Sequence, residues 1–275
     1  MSRLSFTTLA CPEWDIAQVI AAAVENGYGA IDFRGYRGTT DITQNDEFKG
    51  ASLREIAARI ADAGLEVSCL SSSAKMSAAT DRIREDSLEM IRRYAELCHA
   101  LGSRQVRIFG GATKDIGDPV ANAAESLVAA ASIARDAGIT IAVETHDDWT
   151  DSSRLLQVFE RAGWPEGAGF LWDVHHPYRF HGEAPGFTAR NLSRRLVNTH
   201  WKDSAPTPGG AFAPCLSGEG DVPFGDLLKV LSEIGYDGWF TFEWEKKWHP
   251  EIPGPEIAIP QFARQMRTLA HVCAC

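Results

Sequence analysis

The stretch AGFLWDVHHPYR, residues 168–179, joins a buried segment directly to chemically active side chains. Residues 169–172 form a continuous apolar run, which is typical of a strand buried on both faces of a parallel sheet. Asp173, His175 and His176 follow this run at once. In barrels of parallel strands the active site lies at the carboxyl ends of the strands. The stretch therefore predicts a buried strand that runs through residue 176 and leads into a functional site.

Seven other runs of the same kind occur along the chain, and amphipathic patterns separate them. The eight strand candidates are LSFTTLA (4–10), AIDFR (30–34), EVSCLSS (66–72), RQVRIFGG (104–111), ITIAVETH (139–146), GFLWDVHH (169–176), LVNTHWKD (196–203) and GWFTFEWE (238–245). Helices are predicted over 13–26, 52–63, 81–101, 119–137, 152–162, 187–195, 224–234 and 256–272. Eight βα units in 275 residues predict an α/β fold, a single (β/α)8 TIM barrel that forms one domain over residues 1–275. No G-x-G-x-x-G motif follows the first strand, which argues against a doubly wound sheet.

Composition restricts the partners of this protein. The net charge is −10 and the basic residues are scattered among acidic ones, so we expect no nucleic-acid partner. No window approaches 18 uninterrupted apolar residues, and the first residues lack the apolar segment of a secretory signal. We therefore expect a cytoplasmic protein with a small-molecule substrate and no membrane partner. A homo-oligomer stays open at this point.

Four consecutive predicted strands end in pairs of polar residues spaced two apart. The pairs are Glu144 and His146, Asp173 and His175, His200 and Lys202, and Glu243 and Glu245. Residues two apart share one face of a strand, so one member of each pair can point to the barrel axis. Three carboxylates and one imidazole cannot share a dry site without a compensating charge.

A divalent cation provides that compensation. We assign as its ligands Glu144, Asp173, His200 and Glu243. A donor set rich in oxygen, with one histidine and no thiolate, favours Mn²⁺, Mg²⁺ or Co²⁺, and Zn²⁺ is the alternative.

Several motifs of the chain resemble those of one enzyme superfamily. They are VETH (143–146), WDVHH (172–176), HWKD (200–203), GEGDVPF (218–224) and GYDGWFTFEWE (235–245). With them the chain resembles the xylose-isomerase-like TIM-barrel superfamily, in its sugar phosphate isomerase/epimerase branch, over nearly its whole length. The resemblance implies the same four metal ligands, Glu144 and Glu243 as acid/base groups, and His176 as a contact to substrate oxygens. The chain departs from the ketose 3-epimerases at Thr150 and Pro206, where those enzymes carry a glutamate and an arginine.

Four further residues are candidates for substrate binding, and each also has a simpler structural explanation. Lys202 could hold a substrate oxygen or pair with a nearby acid. Arg107 could bind a carboxylate or phosphate, or form a structural ion pair. Glu219 could lie at the pocket rim or simply end a turn. His146 could touch the substrate or support a metal ligand.

The predicted reaction is isomerisation or epimerisation of a sugar or related polyhydroxy carbonyl compound. It would proceed by proton transfer through a metal-stabilised enediolate. The same ligands would serve a dehydratase of the inosose or dehydroshikimate type, which is the main alternative. A nuclease like endonuclease IV is a remote alternative, because it needs further metal ligands and a basic DNA-binding face. A binding protein without catalysis is the least favoured.

Overall fold

Eight parallel strands close into a barrel in the computed structural model, which describes residues 3–273. The barrel strands are β1 (Leu4–Thr7), β2 (Ala30–Phe33), β3 (Glu66–Lys75), β4 (Gln105–Phe109), β5 (Thr140–Glu144), β6 (Ala168–Asp173), β7 (Leu196–Trp201) and β10 (Phe240–Phe242). Their order around the barrel is β1-β10-β7-β6-β5-β4-β3-β2. The predicted (β/α)8 TIM barrel is confirmed. It stays a prediction that a single domain extends over all of residues 1–275.

Helices cover the outside of the barrel. They are α1 (Ile16–Glu25), α2 (Gly50–Asp62), α3 (Asp81–Leu101), α4 (Pro119–Asp136), α5 (Ser152–Arg161), α6 (His175–His181), α7 (Pro185–Leu192), α8 (Phe224–Glu233) and α9 (Pro255–Cys273). All eight predicted helices are present, with ends that differ from the prediction by a few residues. Within the described residues, no helix has both the length and the apolar character needed to cross a membrane.

The strand predicted through residue 176 ends earlier, at Asp173, and this part of the prediction was wrong. His175 and His176 instead begin helix α6. Pro177 has no backbone N–H to donate to a sheet but is tolerated in the first turn of a helix. The Asp173 carboxylate also accepts the backbone N–H of His175 at 2.9 Å, which satisfies a donor near the start of the helix.

A hairpin follows β7, in a segment rich in proline and glycine for which no strand was predicted beyond residue 203. Strands β8 (Asp203–Pro206) and β9 (Phe212–Cys215) pair in antiparallel register. Arg179 of α6 fastens this hairpin, because its Nε donates to Ser204 Oγ at 2.7 Å and its guanidinium lies 4.5 Å from the centre of the Phe212 ring. The hairpin and α6 together border the carboxyl end of the barrel.

Alternation along the strands separates the polar strand-end residues from the outer core. Trp201 is buried and packs edge to face on Phe224 of α8, with the ring centres 5.0 Å apart. Trp244 is also buried and stacks on Phe242 at 5.8 Å. The residues before these tryptophans, His200 and Glu243, therefore face the opposite way, into the barrel.

Gly169 of β6 tests how tightly the barrel is packed around residues 168–179. A Cβ at this position would lie 2.6 Å from the Arg195 carbonyl oxygen and 2.6 Å from Val197 Cγ1. We expect Gly169→Ala to lower the free energy of unfolding by about 1–3 kcal/mol, because the backbone must shift to admit the methyl group. Urea denaturation measures this loss.

Gly225→Ala in α8 is the matched control, because a Cβ there meets no atom within 4 Å. It should leave the free energy of unfolding unchanged or raise it by up to about 1 kcal/mol, since alanine favours the helix. Equal stability of the two variants would contradict the close approach of β6 to the start of β7.

Candidate metal centre

The four predicted metal ligands lie at the carboxyl ends of four neighbouring strands. Glu144 ends β5, Asp173 ends β6, His200 is the last residue but one of β7, and Glu243 follows β10 directly. These strands are adjacent in the barrel, and all four side chains are buried. The fold therefore brings residues that are up to 99 positions apart into one place.

His200 lies at the centre of this group. Its Nδ1 is 2.9 Å from Glu144 Oε1 and 3.3 Å from Glu243 Oε1. One donor atom from each of these three residues lies within 4.8 Å of the others, so the three could hold a metal ion together. Asp173 joins the group through Lys202, whose Nζ is 2.8 Å from Asp173 Oδ2 and 2.7 Å from Glu243 Oε2.

Asp32 is a member of the site that the sequence analysis missed. It lies on β2, is fully buried, and places Oδ2 at 3.2 Å from His200 Nε2. With Nε2–H donating to Asp32, the lone pair of Nδ1 faces the glutamates, as in other sites where a carboxylate orients a metal-binding histidine. The available signal was an acid inside the apolar run AIDF, close to the carboxyl end of a strand.

Two positively charged side chains balance part of the negative charge of the buried carboxylates. One is Lys202, as described above; the other is Arg107. Its Nε lies 3.3 Å from Glu144 Oε2, while its Nη1 donates to the Ser72 carbonyl oxygen at 2.9 Å. The metal ion was predicted from the charges of its four ligands alone. Lys202 and Arg107 also balance part of that negative charge.

Burial and the neighbouring charges shift the pKa values of the buried carboxyl groups in opposite directions. Burial acts to raise the pKa of Glu144, but Arg107 and His200 outweigh it and lower that pKa to about 2. Burial likewise opposes ionisation of Glu243, and Lys202 and His200 still hold its pKa well below the usual range. For Asp173 burial dominates and raises the pKa to about 6. The site thus keeps both glutamates ionised near neutral pH.

A divalent cation fits these residues. Asp32 Oδ1 is buried and has no hydrogen-bond partner among the described residues, while Glu144 Oε2 and Asp173 Oδ2 rely on their ion pairs with Arg107 and Lys202. Buried acceptors of this kind are costly unless a cation or a donor satisfies them. Carboxylate oxygens with one imidazole nitrogen suit Mn²⁺, Mg²⁺, Co²⁺ or Zn²⁺. A second group, Asp173, His175 and His176, also has donor atoms within 4.8 Å of one another.

A cavity of about 510 Å³ opens onto this centre, a size typical of small-molecule sites. Its polar wall includes His175, His176, Lys202, Glu243 and Glu245, and its apolar wall includes Phe180, Phe212 and Trp244. His176 Nδ1 donates to the Thr145 carbonyl oxygen at 2.8 Å. Its Nε2 is therefore the nitrogen left for a ligand.

The other predicted substrate residues lie further from the cavity. His146 is half-buried, with Nδ1 2.8 Å from Asp147 Oδ1 and its ring 4.9 Å from that of His176. Arg107 lies behind Glu144, and Glu219 is exposed in the turn after β9. The cavity wall includes Lys202 and His176 but none of these three residues. Where the ketose 3-epimerases carry glutamate, the Thr150 hydroxyl bonds with His181 Nε2 at 2.8 Å.

Comparison with known structures gives the same architecture. The structure of an L-ribulose 3-epimerase matches with a TM-score of 0.80 and 17% identity, covering 100% of this chain and 96% of the other. The IOLI protein with a bound zinc atom gives 0.80 and 17%, covering 97% of each chain. The probable 3-DHS dehydratase AsbF of Bacillus anthracis gives 0.77 and 16%, covering 96% of this chain and 98% of that one. At these identities the similarity shows the fold.

Sequence comparison identifies the family. The uncharacterized protein YihM of Escherichia coli K12 is 26% identical over 139 residues, which are 50% of this chain and 42% of YihM. The match thus spans less than half the length of that relative. The family model for the xylose isomerase-like TIM barrel matches residues 20–269. This range is most of the chain, and it includes every residue of the centre described above. The chain therefore belongs to the xylose isomerase-like TIM barrel family.

Proposed function

We propose that this protein is a divalent-metal-dependent isomerase or epimerase of a sugar or related polyhydroxy carbonyl compound. One observation carries the proposal: the buried group of Glu144, Asp173, His200 and Glu243 lies beside a cavity of about 510 Å³, and Glu243 is on the cavity wall. A base at the edge of a metal centre and a substrate cavity suits proton abstraction next to a carbonyl.

Glu144, Asp173, His200 and Glu243 would hold the cation, with Mn²⁺, Mg²⁺ or Co²⁺ favoured and Zn²⁺ as the alternative. Once bound, the cation would polarise the substrate carbonyl and stabilise the negative charge that develops when a neighbouring proton leaves. Asp32 would fix the His200 ring by accepting from Nε2, and Arg107 would keep Glu144 ionised.

Glu243 is the group that we assign to the proton transfer on the cavity side. It is ionised near neutral pH because Lys202 and His200 outweigh the effect of burial on its pKa. For Glu144 the transfer on the opposite face of the substrate follows from the resemblance to the epimerases, since its side chain is fully buried and does not line the described cavity. Return of a proton to the same carbon from the opposite face gives an epimer, and return to the neighbouring carbon gives an isomer.

His176 would bind a substrate hydroxyl. Burial and the nearby Lys202 lower its pKa well below the usual range, so the ring is neutral near neutral pH. Because Nδ1–H is committed to the Thr145 carbonyl oxygen, Nε2 is an acceptor. Phe180, Phe212 and Trp244 would offer apolar surface to the substrate's carbon skeleton.

Deuterium exchange tests the proposal before any product is known. We expect the protein with Mg²⁺ in D₂O to exchange the hydrogen beside the carbonyl of at least one member of a panel of ketoses, keto-acids and inososes, followed by proton NMR. Glu243→Gln should lower the exchange rate by at least about 100-fold, because it removes the base. Glu233→Gln, an exposed change at the end of α8, is the control and should exchange normally.

The carbon that exchanges separates an epimerase from an isomerase, and loss of water would establish the dehydratase alternative. Exchange that is equally fast in Glu243→Gln would rule out Glu243 as the base.

Asp32→Asn tests whether the second carboxylate on His200 supports the centre. We expect the affinity for Mn²⁺ to fall by about 10–100-fold, as is usual when the partner of a metal-binding histidine is removed. Isothermal titration calorimetry measures the dissociation constant, and circular dichroism checks that the fold is retained. Asp226→Asn on the exposed face of α8 is the control for the loss of one negative charge. Unchanged Mn²⁺ affinity in Asp32→Asn would show that His200 is not a ligand held by Asp32.

A further inference from the structure

Lys202 occupies a position between two of the proposed metal ligands. Its Nζ lies 2.8 Å from Asp173 Oδ2 and 2.7 Å from Glu243 Oε2, and the side chain is only 9% exposed. A third oxygen, Glu245 Oε1, lies 2.8 Å from the same Nζ. The ammonium group is thus enclosed by three carboxylates, of which two belong to the proposed metal centre and one does not.

A divalent cation and this ammonium group need the same two carboxylates. On Asp173 the shared oxygen is Oδ2, because Oδ1 accepts the backbone N–H of His175. On Glu243 Lys202 contacts Oε2, while Oε1 faces His200 Nδ1. A carboxylate oxygen that binds a metal ion donates its electron pairs to that ion, and a positive charge next to it is repelled. A doubly charged ion bound by Asp173 and Glu243 would therefore weaken both short contacts of Lys202, most of all the one to Asp173 Oδ2. Without a metal, however, the lysine provides the charge that the two buried carboxylates require.

Glu245 offers a place for the displaced ammonium group. Its side chain is 25% exposed, so it lies nearer to solvent than Asp173 or Glu243. It already contacts Nζ, and on its other oxygen it faces His249 Nε2 at 3.7 Å. Lys202 can therefore give up its two inner contacts and remain paired with Glu245 at the cavity wall, which both residues line.

We propose that Lys202 is a built-in counter-cation that competes with the metal ion for Asp173 and Glu243, and that Glu245 holds the lysine when the metal displaces it. Lys202 then stabilises the metal-free protein and lowers its affinity for the metal. Metal loading also moves the ammonium group towards the substrate cavity. This inference rests on the proposed function for the identity of the metal ligands.

Metal titration of three variants tests the competition without any substrate. We expect Lys202→Met to lower the Mn²⁺ dissociation constant by at least about tenfold, because the competing charge is gone. Glu245→Gln should raise it by about three- to tenfold, because the displaced lysine loses its partner. In the double variant the effect of Glu245→Gln should shrink to less than about twofold, since it acts through Lys202. Lys229→Met on the exposed face of α8 controls for net charge.

Thermal unfolding gives a second, independent measurement. Lys202→Met should have a lower midpoint than the wild type without metal, and Mn²⁺ should raise its midpoint by more than it raises that of the wild type. If Lys202→Met does not fold without metal, Lys202→Gln keeps a hydrogen-bond donor for Asp173 and replaces it in both experiments.

The outcomes separate this inference from the proposed function. Mn²⁺ affinity that is unchanged or weaker in the lysine variants, with a wild type that binds Mn²⁺, would overturn the competition and leave the metal centre standing. Failure of Mn²⁺ to bind both the wild type and the lysine variants would overturn the metal centre and the competition together. A full effect of Glu245→Gln in the double variant would overturn the role of Glu245.

Discussion

The burial of several carboxylates around one histidine is the constraint on which the rest of the site depends. Asp32, Glu144, Asp173 and Glu243 are almost entirely removed from solvent at the carboxyl end of the barrel. Charges of one sign cannot be buried together at this spacing without compensation. His200, Arg107 and Lys202 supply part of it from the protein itself, and a cation bound by the carboxylates would add the rest.

The barrel strands and the segments between them, helix α6 and the β8–β9 hairpin, form different parts of the site. Parallel strands fix the buried donors, because alternation along a strand turns apolar residues such as Trp201 outward to the helices and polar residues such as His200 inward. Helix α6 and the β8–β9 hairpin instead shape the cavity above these donors, and Arg179 holds them together. The residues at the strand ends therefore form the proposed metal centre, and helix α6 and the hairpin form the cavity walls that a substrate would contact. This division matches barrel enzymes in general, where one scaffold serves many substrates through its loops.

The sequence predicted the regular parts of this structure well. Continuous apolar runs and amphipathic helices have strong periodicity, and strand ends in a barrel must meet, so the fold and the gathering of four distant ligand candidates followed from pattern alone. The short helix α6 has too few residues to show a period, and the hairpin lies in a segment rich in proline and glycine. The ion pairs of Arg107 and Lys202 and the contact of Asp32 with His200 join strands that are far apart in the sequence, so no local pattern records them, although the acid inside AIDF was a local signal for Asp32. Glu219 shows the converse, since a glycine-rich motif after a strand allowed either the pocket rim or a turn, and the structure has it exposed in a turn.

The most direct test of the account is anomalous diffraction from crystals of this protein grown with Mn²⁺. We expect one strong anomalous peak bonded to Glu144, Asp173, Glu243 and Nδ1 of His200, with Nζ of Lys202 moved away from Asp173 and paired with Glu245. A peak among Asp173, His175 and His176 instead, with Lys202 still on Glu243, would contradict it. Absence of any peak at saturating Mn²⁺ would contradict the metal centre itself.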